Sequence, residues 1–463
     1  MTICMGLIVV IFIGGVLNLG HLAYAPALDA IVVVGVLMAA ASVHADRKSG
    51  NRNSNPGADP AGSVYSLLPG AILILGAFVF QTVWLLPPAA FNVYDDFQTY
   101  LSLPLRMLAT GTLQPGPFSY FGVNTLGAHS YLQGFVAAHW PLADIDAVDA
   151  LFGLTLAGCL ILVVGRRTGT PAWLGLLAVV AVIVINPQYV NISTLYIGSA
   201  LLIFLLLIPS GVHAQGQTIA PISATFAITT GLTYGALVVL KSTFVLPVLV
   251  HFLLVTASSA MGHRSLRRSA TGVLQVALGG GIVALPWMLN QASKLIPALV
   301  QVGHLAGGGS SGLRGQNLGP GWLSTDPFIY GFGTGHIHYT ALAIVALLCA
   351  LFLVARIPWH DRPALSDRLT AIAGCLLLPV FYVIQMKVIG AKLMGADTAL
   401  RYAAPVFIGV APAAMLLAGG RLTTGSAGNT GRRTARYAPA AAAVLGLAAA
   451  FVVGNFSVSL VNR

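Results

Sequence analysis

The sequence predicts an all-α, polytopic integral membrane protein: one membrane domain over residues 1–463, with about thirteen transmembrane helices and two long extracytoplasmic loops. Three observations predict it. Of the 463 residues, 57% are hydrophobic and only 8% are charged, against roughly 45–50% and 25% in a soluble domain. Mean hydropathy over the chain is +0.86, more apolar character than a water-facing fold can hide. The apolar residues also fall into separate runs near the roughly 20 residues that one crossing requires. A soluble enzyme and a disordered chain are both excluded on this composition. The net charge of +11 comes from Lys and Arg scattered between apolar runs rather than clustered on one segment, which argues against a nucleic-acid partner.

The runs are taken in order. The first, 3–20, is followed by Ala23-Tyr24-Ala25, which fits a signal-peptide cleavage site, but Met1-Thr2-Ile3-Cys4 lacks the basic start of such a peptide. It is read as a retained helix. A second helix over 26–43 leads into a linker, Asp46 to Ser63, rich in Asn, Gly, Pro and Ser. A third helix over 65–88 opens the first long outer loop, 89–147. Helices over 148–165, 172–186, 190–209, 221–240, 243–260 and 270–290 follow on short connections. The run ending at Asn186-Pro187 and the break at Lys241 also fit hinges within bent helices. A second outer loop, Gly-rich, spans 291–337, and helices over 338–355, 369–387, 402–418 and 437–455 complete the set. Gly419 to Arg436 reads as another flexible linker. No internal repeat and no appended soluble domain are expected. Cys4, Cys159, Cys349 and Cys375 lie inside apolar runs without metal-like spacing and read as small core residues.

Orientation follows from the cations, because cytoplasmic loops retain Lys and Arg. Alternate connections collect Arg47, Lys48, Arg52, Arg166, Arg167, Arg264, Arg267, Arg268, Arg356, Arg362, Arg368, Arg421, Arg432, Arg433 and Arg436, the majority of the 23 cations. The other side carries Asp95, Asp96, Asp144, Asp146, Asp149, Asp326 and Asp397, with Asp29 at its edge. All 12 acids of the chain are Asp. The expected location is therefore a cell (inner) membrane, with the acidic side extracytoplasmic.

The first outer loop carries the densest polar material. Directly after the third helix comes Phe91-Asn92-Val93-Tyr94-Asp95-Asp96-Phe97-Gln98-Thr99-Tyr100, continuing to Arg106. On an interfacial helix from Asp95 to Leu108, adjacent side chains point about 100° apart, so the two carboxylates have different tasks. One faces a reacting group while the other orients it or holds a divalent cation. Phe97, Leu101, Leu105 and Leu108 form the apolar stripe of that helix, and Pro104 bends it. A solvated acidic loop or a helix cap is the alternative reading of the pair. Further along, Tyr120, Asn124, His129 and Gln133 offer hydrogen bonds to a polar ligand.

Asp95-Asp96 and the stretch Arg401-Tyr402-Ala403-Ala404-Pro405, which opens a late helix, resemble the GT-C superfamily of membrane glycosyltransferases. Its members include protein O-mannosyltransferases, aminoarabinose transferases of lipid A and polyprenyl-dependent arabinosyltransferases. They have about a dozen helices, an acidic pair in a long first external loop and a late helix opening on Arg-Tyr-x-x-Pro. The chain differs in placing two helices before the one that leads into the acidic loop.

The resemblance implies transfer of a hexosyl or pentosyl group from a polyprenyl-phosphate-linked donor to a glycan, lipid or protein acceptor, at the outer membrane surface. Such transfer needs a base on the acceptor hydroxyl and positive charge on the departing phosphate. Asp95 or Asp96 is the candidate base. Lys294, Arg314, Lys387, Lys392 and Arg401 are candidate phosphate partners, with Tyr94, Tyr100, Arg106, His129, Gln133 and Tyr402 completing the substrate-binding set. A Mg²⁺ or Ca²⁺ ion held by Asp95 and Asp96 suits the hard oxygen ligands. Two carboxylates flanking a glycosidic bond stand about 5–10 Å apart, which adjacent residues rarely achieve, so single displacement with inversion is expected.

Other motifs read more plainly. Gly307 to Gly312 is a flexible stretch without a nucleotide-loop ending. His336 and His338 read as interfacial packing, and Lys241 as a snorkelling or turn residue. A multi-pass transporter or lipid flippase is the competing class, which tends to place ionisable residues at mid-membrane. A non-catalytic membrane protein of the same fold is the third.

Overall fold

The computed structural model describes residues 2–53, 101–114, 126–145, 147–184, 194–213, 224–262, 266–293 and 396–424, with short helical pieces within 70–76, 348–355 and 369–377. Eleven helices are bounded among them: α1 Thr2–Leu19, α2 Ala25–Asn53, α3 Ser102–Thr110, α4 Ala128–Ala137, α5 Leu154–Arg167, α6 Ala172–Val184, α7 Tyr196–His213, α8 Ala224–Leu240, α9 Val245–Gly262, α10 Leu266–Asn290 and α11 Ala396–Thr424. A π-helical turn, Val148–Gly153, runs directly into α5. No strand occurs among the described residues, which are all-helical. Among the described residues, three stretches are long and apolar enough to cross a membrane: Ala25–Ser42, Val148–Arg167 and Ser269–Asn290.

Burial follows the patterning of each helix. The α7 sequence, Tyr196-Ile197-Gly198-Ser199-Ala200-Leu201-Leu202-Ile203-Phe204, is apolar or small on every face, and every residue from Thr194 to Ile208 is buried. Such a helix belongs in the middle of a bundle. It packs against α5, α8 and α11. Gly409 of α11 meets Leu202 of α7, where a Cβ would lie 2.8 Å from the leucine side chain. By contrast, α2 exposes Val32, Val36, Leu37 and Met38, so it lies at the periphery.

The tightest crossing joins α8 to α10. Gly231 and Gly235, one turn apart on α8, face Val276, Gly280 and Val283 of α10. A Cβ on Gly231 would collide with the carbonyl oxygen of Val276, and one on Gly235 would lie 2.5 Å from that of Gly280. This is the small-xxx-small geometry by which helices pack closely without a hydrophobic drive between them.

Contacts sort the helix ends into two groups. At one end, the turn after α5 meets the last turns of α11: Thr170 Oγ1 donates to the Leu416 carbonyl at 2.6 Å, and Gly420 lies against the Thr168 carbonyl. Arg166, Arg167 and Arg421 belong to this end. The other end gathers the end of α1, the start of α2, α3, α4, the π-turn, the start of α7 and the end of α10. The alternation of charged connections along the sequence assigns the same helix termini to common sides.

Several expectations shift. The first residues of the linker expected from Asp46 to Ser63 are helical, because α2 continues to Asn53 with no proline between Ala27 and Asn53 to stop it. The first residues of the linker expected from Gly419 to Arg436 are likewise helical, Gly419 and Gly420 being packed on the α5–α6 turn; the rest of both stretches lies outside the described residues. The break at Lys241 separates two helices: its backbone is extended, at φ −162° and ψ 141°, ahead of the 3₁₀ turn Ser242–Phe244. Of the cysteines, Cys4 is buried but Cys159 is exposed on α5, so the core reading fails there. Cys375 and the runs over 65–88, 338–355, 369–387 and 437–455 lie largely or wholly outside the described residues.

Candidate functional site

Of the stretch expected as the first outer loop, residues 101–114 and 126–145 are described, and much of both pieces is helical. The interfacial helix expected from Asp95 to Leu108 is described from Ser102 to Thr110. Its inward face differs from the expected stripe: Pro104 and Met107 are buried, while Leu105 is exposed. Leu101 packs with Ile145, Ala137 and Leu142. Pro104 sits in the first turn, where its missing N–H costs nothing, and so does not bend the helix.

After α3, Gly111 turns the chain with φ +75°. A Cβ there would strike the His21 carbonyl, so only glycine fits. Gly111 to Gln114 then crosses the bundle end as a short strap. The Asn18 side chain, at the end of α1, accepts from the Leu113 N–H at 2.8 Å and donates to the Gly14 carbonyl at 2.8 Å. Thr112 Oγ1 donates to the Asn18 carbonyl at 2.8 Å and lies 3.2 Å from Asn290 Oδ1 of α10. Gln291 Nε2 donates to the Leu113 carbonyl at 2.9 Å. Asn18, Thr112, Asn290 and Gln291 are all buried. One face of the α10 end thus holds the strap, and Trp287 Nε1 just before it donates to the Ile11 carbonyl at 3.0 Å.

Next comes α4, a helix where the sequence reads as loop. Ala128 to Gly134 are buried without exception. Tyr131 stacks edge-on against Trp287 at 5.9 Å and Phe135 at 5.5 Å, over a Gly14 that leaves room for the ring. Burial pushes the Tyr131 phenol well above its ordinary range, so it stays a neutral donor. At the α4 exit, His139 Nε2 lies 2.6 Å from Asp29 Oδ1 of α2, both half exposed.

Asp149, expected among the outward acids, is completely buried at the π-turn. Its Oδ2 accepts the N–H of Leu195 at 2.7 Å and of Tyr196 at 3.0 Å, and its Oδ1 accepts that of Ile197 at 2.9 Å. The carboxylate therefore caps α7 from another helix, at the end where unpaired N–H groups and the helix dipole favour negative charge.

The expected site residues divide accordingly. Arg106 sits half-buried on α3, and desolvation lowers its guanidinium below the ordinary value. His129 and Gln133, one turn apart, are buried on α4 instead of standing in an open loop. Arg401 and Tyr402 occupy the second turn of α11, close to Pro405, whose carbonyl accepts from Ser199 Oγ of α7 at 3.0 Å. The structure brings these positions to one end of the bundle. Tyr94, Asp95, Asp96, Tyr100, Lys294, Arg314, Lys387 and Lys392, with Tyr120, Asn124, Gly307 to Gly312, His336 and His338, lie outside the described residues. No group of three metal-ligating side chains occurs among the described residues.

Sequence reasoning missed the strap clamp and the Asp149 cap. Their signal was polar residues standing at the ends of apolar runs: Asn18, Asn290-Gln291 and Asp149. The clamp has a measurable weight. Thr112→Val removes a buried donor shared by α1 and α10, and is expected to destabilise the protein by about 1–2 kcal/mol. Thr110→Ala at the neighbouring exposed hydroxyl has a smaller effect; thermal melts of the two purified variants in detergent give the comparison. No protein-family model, curated protein or solved structure matches this chain.

Proposed function

We propose that the chain is a membrane glycosyltransferase of the GT-C type, moving a sugar from a polyprenyl-phosphate donor to an acceptor on the extracytoplasmic face of a cell membrane. The reading is carried by the adjacent carboxylates Asp95-Asp96, placed directly after an apolar run and six residues ahead of α3. It is supported by the bundle end that α3 joins, where Asn18, Thr112, His129, Gln133, Asn290 and Gln291 gather from four parts of the chain. Three helices of crossing length and the arginines at the opposite end support the membrane setting and the sidedness.

In the proposed reaction one carboxylate of the pair takes the proton of the acceptor hydroxyl as its oxygen attacks the sugar C1. The C1–O bond to the lipid phosphate breaks with inversion, and the phosphate leaves with its electron pair. Cations expected at this end offset the charge on the leaving oxygen: Arg106 of α3, Arg401 of α11, and Lys294, Arg314, Lys387 and Lys392, which share that side in the sequence. Mg²⁺ or Ca²⁺ bound by the pair would supply further positive charge at the phosphate.

One observation favours the transporter or flippase reading. Tyr234 of α8 and His251 of α9, both buried inside apolar helices, share a hydrogen bond of 2.6 Å, the kind of intramembrane polar pair that marks transport pathways. The full chain in proteoliposomes, given a panel of polyprenyl-phosphate sugars, separates the two. The transferase reading expects release of polyprenyl phosphate with sugar on an acceptor. Translocation of intact donor without cleavage overturns it.

A further inference from the structure

We infer that α10 is hinged over Gly281 to Pro286, and that its outer arm moves with the strap as one body against the α8–α10 crossing. Two weak points, Gly281 and Pro286, lie where the grip of α10 on α8 passes over to its grip on α1. Toward its start α10 is locked: Val276, Gly279 and Gly280 interdigitate with Ile228, Gly231 and Gly235 of α8, and Val283, within the hinge stretch, makes the last of these contacts, on Gly235. Ser269 at its start donates to Ser259 of α9 at 3.0 Å. Above the turn, Trp287 holds α1 through the Ile11 carbonyl, and Asn290 and Gln291 hold the strap. The last grip on α8 falls at Val283 and the first on α1 at Pro286 and Trp287, so one turn of helix joins two anchored arms.

Two features loosen the helix around this turn. Pro286 has no N–H, so the Ile282 carbonyl loses its partner four residues on, and the proline ring crowds the same carbonyl. Packing explains Gly279 and Gly280, where a Cβ would lie 3.0 Å and 3.3 Å from α8 carbonyls. It does not explain Gly281: the residue is exposed, and a Cβ there would meet nothing within 4 Å. A glycine inside a helix loosens the backbone without return when no neighbour needs the space. Ile282 and Leu285 on the same turn are exposed, so no described side chain blocks its bending outward.

The consequence reaches the candidate site. The outer arm grips Gly111 to Gln114, and these residues are continuous with α3, the helix that Asp95-Asp96 precedes. A bend at Gly281–Pro286 therefore carries the strap and α3 relative to the α8–α10 crossing, working against the much smaller contacts that α1 and α4 make with α8. The hinge stands whether or not the acidic pair is catalytic.

Two measurements on the full chain in lipid nanodiscs test it. By hydrogen exchange, amides of residues 282–287 are expected to exchange about tenfold faster than those of 272–279, and Gly281→Ala and Pro286→Ala are each expected to slow them toward the lower arm. Equal protection of the two stretches, or exchange unchanged in both variants, overturns the inference. Spin labels in a background without the native cysteines give the second readout, using exposed positions on α3 and on each arm of α10. The pair Leu105→Cys and Leu289→Cys, within the outer body, is expected to give one narrow distance distribution. The pair Leu105→Cys and Leu274→Cys, across the hinge, is expected to give a broad one that Pro286→Ala narrows. Equal widths for the two pairs overturn the inference as well.

Discussion

Gly231→Leu is expected to abolish the folded state, with a cost of about 4 kcal/mol or more. The reason is steric and local. A Cβ at Gly231 already collides with the Val276 carbonyl, and backbone cannot move aside as a side-chain end can. Relief requires α8 and α10 to separate, which also empties the contact between Gly235 and Val283. Neighbouring glycines supply a graded control. Gly280→Ala, whose new methyl would sit 3.3 Å from the Gly231 carbonyl, is expected to have an intermediate cost, and Gly281, with open space around it, to gain slightly as alanine. The melting temperatures of the purified variants in detergent should fall in the order Gly281→Ala, Gly280→Ala, Gly231→Ala, with Gly231→Leu recovered only as aggregate. A Gly231→Leu protein that melts with the wild type would remove the crossing from the fold.

Asp149→Ala is expected to destabilise by about 3 kcal/mol or more. Three backbone N–H groups at the start of α7 end on this one carboxylate, and the buried site has no exposure to water that would replace it. Asp149→Asn is expected to fall between. Its oxygen can keep the bonds to Leu195 and Tyr196, while its amide nitrogen then faces the Ile197 N–H donor against donor. If the carboxylate were an ordinary solvated acid, both variants would match the wild type in a thermal melt, and Asp149→Asn would not be separable from Asp149→Ala.

These two sites show what the sequence made legible and what it hid. The span of α10 was readable because Arg267 and Arg268 precede a long apolar run that ends at Asn290. The helix α4 was hidden for the opposite reason: its ten residues follow a Gly- and Pro-rich stretch and are too short for a crossing, so no length signal marks them. Asp149 looked outward because an isolated acid beside an apolar run has no visible partner, and the partner proved to be backbone 46 to 48 residues away. The close approach of Gly231 and Gly235 to α10 was likewise present in spacing, yet which helix they meet depends on tertiary packing. Of the proposed site, the sequence offered the acidic pair and an expected extracytoplasmic side. The structure adds the clamp, the cap and the buried face of α4 at the bundle end that α3 joins.

The central claim is that Asp95-Asp96 carries transfer chemistry. It is tested by comparing Asp95→Asn, Asp96→Asn and the wild type, each with its melting temperature, in vesicles supplied with a polyprenyl-phosphate sugar that the wild type consumes. At least one substitution is expected to lower turnover about 10²–10⁴-fold, the range for losing a positioned base, with the melting temperature unchanged. Wild-type turnover in both variants would contradict it.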